Sequence, residues 1–135
     1  MDEVKSKKVL IVEDDLFLSD IYNQFFTKRG YVVVNAYDGE DAVSKALADE
    51  FDFIMLDIML PKKTGIDVLK EIRSTENKSK NLPIFMLTNL GYDEIIKNAF
   101  DLGANGYFVK SNLLPNQIID EVEAFFDSSK VVIGS

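Results

Sequence analysis

Five short runs of consecutive apolar residues, each followed by a stretch patterned for a helix, constrain this chain more than any other feature. The runs are Lys8–Glu13 (KVLIVE), Tyr31–Ala36 (YVVVNA), Phe53–Asp57 (FIMLD), Pro83–Thr88 (PIFMLT) and Gly106–Val109 (GYFV). They are apolar at successive positions rather than at every second one, as strands covered on both faces must be. Between them apolar residues recur at helical spacing. The first helix carries Leu18, Ile21, Tyr22, Phe25 and Phe26, and the second Ala42, Val43, Ala46 and Leu47. The third carries Ile66, Leu69 and Ile72, the fourth Ile95, Ile96, Ala99 and Phe100. The last, opened by Pro115, carries Ile118, Val122, Phe125 and Phe126. Gly30 and Gly103 stand where left-handed C-terminal caps are expected. This alternation calls for right-handed crossovers, and so for an α/β fold: a doubly wound (βα)5 unit whose parallel five-stranded sheet has helices on both faces.

A length of 135 residues suits one domain. Its expected limits are residues 8–127, with a polar leader at 1–7 and a tail at 128–135 that reads equally as a docked end, a stub of a longer chain or cloning residue. The polar stretch Ser74–Leu82 (STENKSKNL) reads as a mobile connection. Uninterrupted apolar runs such as Val9–Val12 and Phe53–Leu56 are four residues long, whereas a membrane span needs about 20. The leader has no signal-peptide apolar region either, so a cytoplasmic location is expected.

Two absences narrow the chemistry. With His 0 there is no imidazole base, no Ser-His-Asp triad, no His metal ligand and no phosphohistidine. With Cys 0, thiol catalysis, thiolate metal sites and disulfides are excluded as well. The net charge of −8 argues against binding a nucleic-acid backbone directly.

In parallel α/β sheets ligands bind beyond the carboxyl ends of the strands. Here the first strand ends in Glu13-Asp14-Asp15, the third in Asp57, the fourth in Thr88, and the fifth runs into Lys110. Taken singly, most have structural explanations. Asp15 reads as the N-cap of the first helix, Asp57 as a turn former before Pro61, Thr88 as a cap hydroxyl and Lys110 as a solvated lysine. Together they do not. At an effective dielectric near 20, two like charges about 4 Å apart cost about 4 kcal/mol. Adjacent carboxylates at one sheet edge therefore call for a divalent cation, and an all-oxygen donor set selects Mg2+, with Mn2+ also compatible. Beside such a metal a carboxylate can act as nucleophile toward a phosphoryl group, with a lysine and a hydroxyl spreading the charge.

From about Lys8 to Phe126 the chain resembles the receiver domain of two-component response regulators. The motifs VLIVEDD, FIMLDIMLPKKTG, PIFMLT and GANGYFVK stand in the family's order and spacing. The resemblance implies the flavodoxin-like strand order 2-1-3-4-5. It also implies a phosphorylation-dependent switch, like the single-domain chemotaxis regulators, rather than an enzyme in the turnover sense. Asp57 would be the phosphoacceptor. Asp14 would ligate Mg2+ directly and Glu13 mainly through water, with the backbone carbonyl of Met59 completing the set. Lys110 would pair with the phosphoryl oxygens, Thr88 would swing to meet them, and Tyr107 would be the coupled aromatic switch. The implied partners are a sensor histidine kinase or histidine phosphotransfer protein, and a downstream protein read by the face of helix four, strand five and helix five. Acidic Asp120, Glu121 and Glu123 on the last helix suit a basic partner. Direct nucleic-acid or membrane binding is not expected, and the oligomeric state is a monomer or a weak phosphorylation-dependent dimer.

Three positions depart from the family pattern. Ser111 follows the lysine where a proline in a cis peptide is usual, which leaves the shape of the following loop open. Asn89 follows Thr88 where a smaller residue is commoner, so it could crowd Asp57. Asn105-Gly106 and, approximately, Glu121 replace the acidic pair and arginine of the DNA-binding branch's dimer interface. Met59 and Leu90 occupy positions thought to set the lifetime of the phosphoryl group, and apolar side chains there cannot orient a hydrolytic water. The alternatives are a phosphorylation-independent receiver-like interaction module and a Mg2+-dependent phosphatase on a similar scaffold. For the phosphatase, the stretch Glu13-Asp14-Asp15-Leu16-Phe17 has Glu at the nucleophile position.

Overall fold

The computed structural model describes residues 7–89 and 93–127. The first six residues of the leader, Leu90 and the 128–135 tail lie outside them. The elements are β1 (Lys8–Val12), α1 (Leu16–Lys28), β2 (Val32–Ala36), α2 (Gly39–Ala48), β3 (Phe53–Asp57), α3 (Gly65–Ser74), β4 (Ile84–Thr88), α4 (Asp93–Asp101), β5 (Gly106–Val109) and α5 (Pro115–Asp127). All strand pairs are parallel and the order is β2-β1-β3-β4-β5. The expected α/β architecture and strand order both hold. Among the described residues no helix is long and apolar enough to cross a membrane.

Strand ends moved by one residue in three places. Glu13 lies just past β1, although its amide still donates to the Ala36 carbonyl at 3.1 Å. Tyr31 precedes β2, and Pro83, which has no N–H to give a ladder, precedes β4. Side chains of Asp15, Asp38 and Thr64 cap α1, α2 and α3 by accepting from Leu18, Asp41 and Asp67 amides. Gly30 and Gly103 adopt φ of 93° and 104°, the left-handed geometry their positions called for.

Because side chains alternate along a strand, each strand feeds two cores. Leu10, Val12, Ile54, Leu56, Ile84 and Met86 pack with α2, α3 and Ala99 of α4. Val9, Ile11, Phe53, Met55, Phe85, Leu87 and Phe108 pack with α1 and α5. The second core is aromatic and centred on Phe53. Its ring lies 5.6–6.0 Å from those of Phe26, Tyr31, Phe85 and Phe126. Above it Arg29 donates to Asp120 at 2.7 Å and to Glu123 at 2.9 Å, while the Tyr31 hydroxyl donates to Glu123 at 2.8 Å. Two of the three acids that suited a basic partner are therefore engaged within the chain, joining α1 to α5.

Two expectations need correction. The Ser74–Leu82 stretch is tied down rather than loose: the buried Ser79 hydroxyl donates to the Ala46 carbonyl at 2.8 Å, and Arg73 donates to the Lys80 carbonyl at 2.7 Å. Helix α4 buries only Ala99 of the four residues assigned to its inner face, and Phe100 remains 45% exposed. The four-residue β5 is the edge strand, so little sheet lies beneath that flank of the helix.

Truncating Phe53 to Ala removes the hub of the aromatic core and is expected to lower stability by about 3–5 kcal/mol. Phe17→Ala, at an exposed position of α1, is expected to stay within about 0.5 kcal/mol of wild type. Urea unfolding with an unchanged m-value checks both.

Candidate functional site

Strand phase carries three charged side chains to one place. Glu13 continues the phase of Val9 and Ile11, Asp57 that of Phe53 and Met55, and Lys110 that of Phe108, so all three emerge on the α1/α5 face at the carboxyl end of the sheet. The Lys110 ammonium lies 2.6 Å from Glu13 Oε1 and 2.8 Å from Asp57 Oδ2. Glu13 is 0% and Asp57 2% exposed, so water screens these charges little. Asp14, next along the β1–α1 turn, is exposed. One carboxylate oxygen from each of Glu13, Asp14 and Asp57 lies within 4.8 Å of the others.

Backbone amides orient the acids. Met59 N–H donates to Asp57 Oδ1 at 3.2 Å, and Asp15 N–H donates to Glu13 Oε2 at 3.1 Å. Asp15 is thus both helix cap and site support. The β3–α3 corner is drawn tight by the Gly65 amide donating to the Ile58 carbonyl at 2.8 Å. A Cβ at Gly65 would lie 2.2 Å from the Asp57 carbonyl oxygen, so only glycine permits this approach.

Electrostatics follow from burial. Desolvation, with the Asp57 charge adding to it, pushes Glu13 up to about 7 against the pull of its bond to Lys110. Burial opposes the Lys110 ammonium, but its bonds to Asp57 and Glu13 outweigh that and hold it above its ordinary value. Tyr22 of α1 is a site neighbour that sequence reasoning assigned only to the core. Burial first, then the charges of Glu13 and Asp57, raise its hydroxyl above the usual range. Its helical spacing marked it as inward-facing, and only the phase of β1 and β3 could have shown which inward charges it meets.

Thr88 and Tyr107 lie on the opposite face of the sheet. Thr88 continues the phase of Ile84 and Met86, is buried, and accepts the Lys110 backbone amide at 2.7 Å through its carbonyl. Tyr107 pairs in register with Met86 and is 41% exposed, its ring edge-to-face with Phe100 at 6.1 Å and 84°. Every peptide bond in the described residues is trans, the one entering Ser111 included. Asn89 is exposed at the end of β4.

When ionised, three carboxylates against one ammonium leave two negative charges in an all-oxygen setting. That donor set fits a hard divalent cation such as Mg2+.

The profile of the response regulator receiver domain matches residues 9–123; the chain belongs to this family, whose members are the phosphorylation-dependent switches of two-component signalling. It is 31% identical over 124 residues to the transcriptional regulatory protein ResD of Bacillus subtilis (strain 168), covering 92% of this chain and 50% of ResD. The chain thus spans about half the length of the curated relatives it matches. Among solved structures it is similar to the chemotaxis response regulator CheY4 of Vibrio cholerae, with TM-score 0.82 and 30% identity over 89% of this chain and 98% of that one. It is also similar to the receiver domain of the sensor histidine kinase PA1611 from Pseudomonas aeruginosa PAO1, which has a magnesium ion coordinated in its active-site cleft. That likeness has TM-score 0.79 and 27% identity over 89% and 97% of the two chains. Receiver domains as a family interact with histidine kinases and phosphotransfer proteins and are in general signal-transfer proteins.

Replacing Lys110 by Met leaves Glu13 and Asp57 buried and facing one another. In EDTA the expected loss is on the order of 3 kcal/mol. It should shrink when millimolar Mg2+ is added, because the metal replaces the missing positive charge. Paired urea titrations of wild type and Lys110→Met, with and without Mg2+, check both.

Proposed function

We propose that this chain is a signalling switch that takes a phosphoryl group onto Asp57 from the phosphohistidine of a sensor kinase or phosphotransfer protein. The carrying observation is the buried Asp57 carboxylate, 2.8 Å from Lys110 and within 4.8 Å of the Glu13 and Asp14 oxygens. The histidine must be the partner's, since this chain has His 0.

In the transfer an Asp57 oxygen forms a bond to phosphorus as the bond from phosphorus to the imidazole nitrogen breaks, and that nitrogen leaves with the electron pair. Glu13, Asp14, Asp57 and the Met59 carbonyl would hold Mg2+, which when bound offsets charge on the transferring oxygens. Lys110 exchanges its bond to Asp57 for the phosphoryl oxygens, so its charge is already in place and needs no reorganisation. The family's catalytic groups thus serve the chain's own phosphorylation and slow hydrolysis, not turnover of a separate substrate.

The added charge and acceptor oxygens draw in the Thr88 hydroxyl, and Tyr107 moves inward as Thr88 vacates its place. The message is read by a downstream protein on the face made by α4, β5 and α5. Asn105, which stands in place of the acidic pair of the DNA-binding branch, is used internally. Its Oδ1 accepts from the Ile84 amide and from Arg73, both at 2.9 Å. This speaks against that branch's dimer contact at Asn105, and we read the domain as a monomer or weak phosphorylation-dependent dimer that acts by protein contact in the cytoplasm.

Intact-protein mass after incubation with acetyl phosphate tests the acceptor. One phosphoryl group should be gained with Mg2+, none in EDTA, and none in Asp57→Asn. No gain in folded, Mg2+-binding protein would favour a phosphorylation-independent interaction module. The exposed Met59 cannot orient a hydrolytic water. Slow autodephosphorylation is therefore expected in a mass-resolved time course, and a half-life of seconds would contradict it.

A further inference from the structure

We propose that Phe100 of α4 is a clasp that holds Tyr107 in its outward, inactive orientation and so sets how readily this receiver accepts a phosphoryl group. The inference rests on the reading of Tyr107 as the switch aromatic.

Phe100 and Tyr107 stack edge to face, with centroids 6.1 Å apart and planes at 84°. This is the favoured geometry for two rings, in which the positive edge of one meets the negative face of the other. Neither ring is buried by the fold: Phe100 is 45% and Tyr107 41% exposed. Each therefore covers apolar surface of the other that would otherwise face water. Phe100 also follows Ala99, the only buried residue of α4, so it sits at the rim where the helix meets the edge strand. Tyr107 shares its sheet face with buried Thr88, two positions further along the neighbouring strand than its register partner Met86. Moving the ring toward Thr88 means leaving Phe100. The contact is thus made in one of the two orientations only, and such a contact shifts an equilibrium by its full worth.

An aromatic pair of this kind biases the two orientations by about 2- to 10-fold. Phe100→Ala should accordingly raise the apparent affinity for beryllofluoride in the presence of Mg2+ by about that factor, and the acetyl phosphate phosphorylation rate with it. Phe100→Leu, which keeps apolar bulk but no ring, should fall between. A merely structural residue would lower affinity when removed, or leave it unchanged. Combining Phe100→Ala with Tyr107→Ala should give no gain over Tyr107→Ala alone, because the clasp has nothing to hold.

The readouts are a beryllofluoride titration followed by amide spectra and by carbon-labelled tyrosine rings, with the Tyr107 ring assigned by its loss in Tyr107→Phe. Circular dichroism confirms that each variant is folded. Unchanged or weaker binding by Phe100→Ala, while the wild-type Tyr107 ring shifts on beryllofluoride, would overturn the clasp and leave the switch intact. A wild-type Tyr107 ring that does not respond to bound beryllofluoride would overturn the switch reading and the clasp with it.

Discussion

The Lys110 ammonium between Glu13 and Asp57 is the interaction on which the rest depends. Two buried carboxylates from β1 and β3 would repel each other in a setting that water barely screens. One cation, delivered from the end of β5, lets both remain there. The arrangement spans three of the five strands, so it requires the parallel order that brings their carboxyl ends to one edge. It also leaves an Asp57 oxygen pre-paired with a positive charge. Folding thus assembles the electrostatic environment that the proposed phosphoryl transfer would need.

The two sides of the sheet divide the labour. The α1/α5 side holds the charge, seated on a stacked aromatic core and closed by Arg29 against Asp120 and Glu123. The α2/α3/α4 side holds Thr88 and Tyr107. In the proposed switch an event at Asp57 would be communicated past the end of β4, where Thr88 stands with its carbonyl already bonded to the Lys110 amide. The α1/α5 side is filled by a stacked aromatic core, whereas on the other side α4 buries only Ala99.

What the sequence revealed follows the range of the interactions involved. Glu13, Asp57 and Lys110 were legible because a charge ending an apolar run is visible in a single stretch of chain, and the alternation of runs tells where such ends gather. Asp15, Gly30 and Gly103 were legible for the same local reason. The roles proposed for Thr88 and Tyr107 rest on family resemblance, since nothing local distinguishes a switch from a cap or a strand aromatic. Helical periodicity puts Phe100 on the inner face although it is 45% exposed, because periodicity says which way a residue faces, not how much sheet lies opposite. The Ser74–Leu82 connection reads as mobile in sequence because its polar composition hides a bond between Ser79 and Ala46, 33 residues apart. One-residue errors at Glu13, Tyr31 and Pro83 reflect ladder hydrogen bonds, which belong to pairs of strands and not to either one.

Ala99 is the one fully buried side chain of helix α4, whose Phe100 lies instead at the rim against Tyr107. A large side chain in place of Ala99 would lock the helix, since moving it would open a void and forfeit its packing. A methyl group forfeits little packing when it shifts, so the core sets only a low barrier to reseating this helix. With Asp57 as the proposed acceptor, little of the work done there would be lost in rearranging the interior, and a change of charge at one edge would emerge as a change of outline at another.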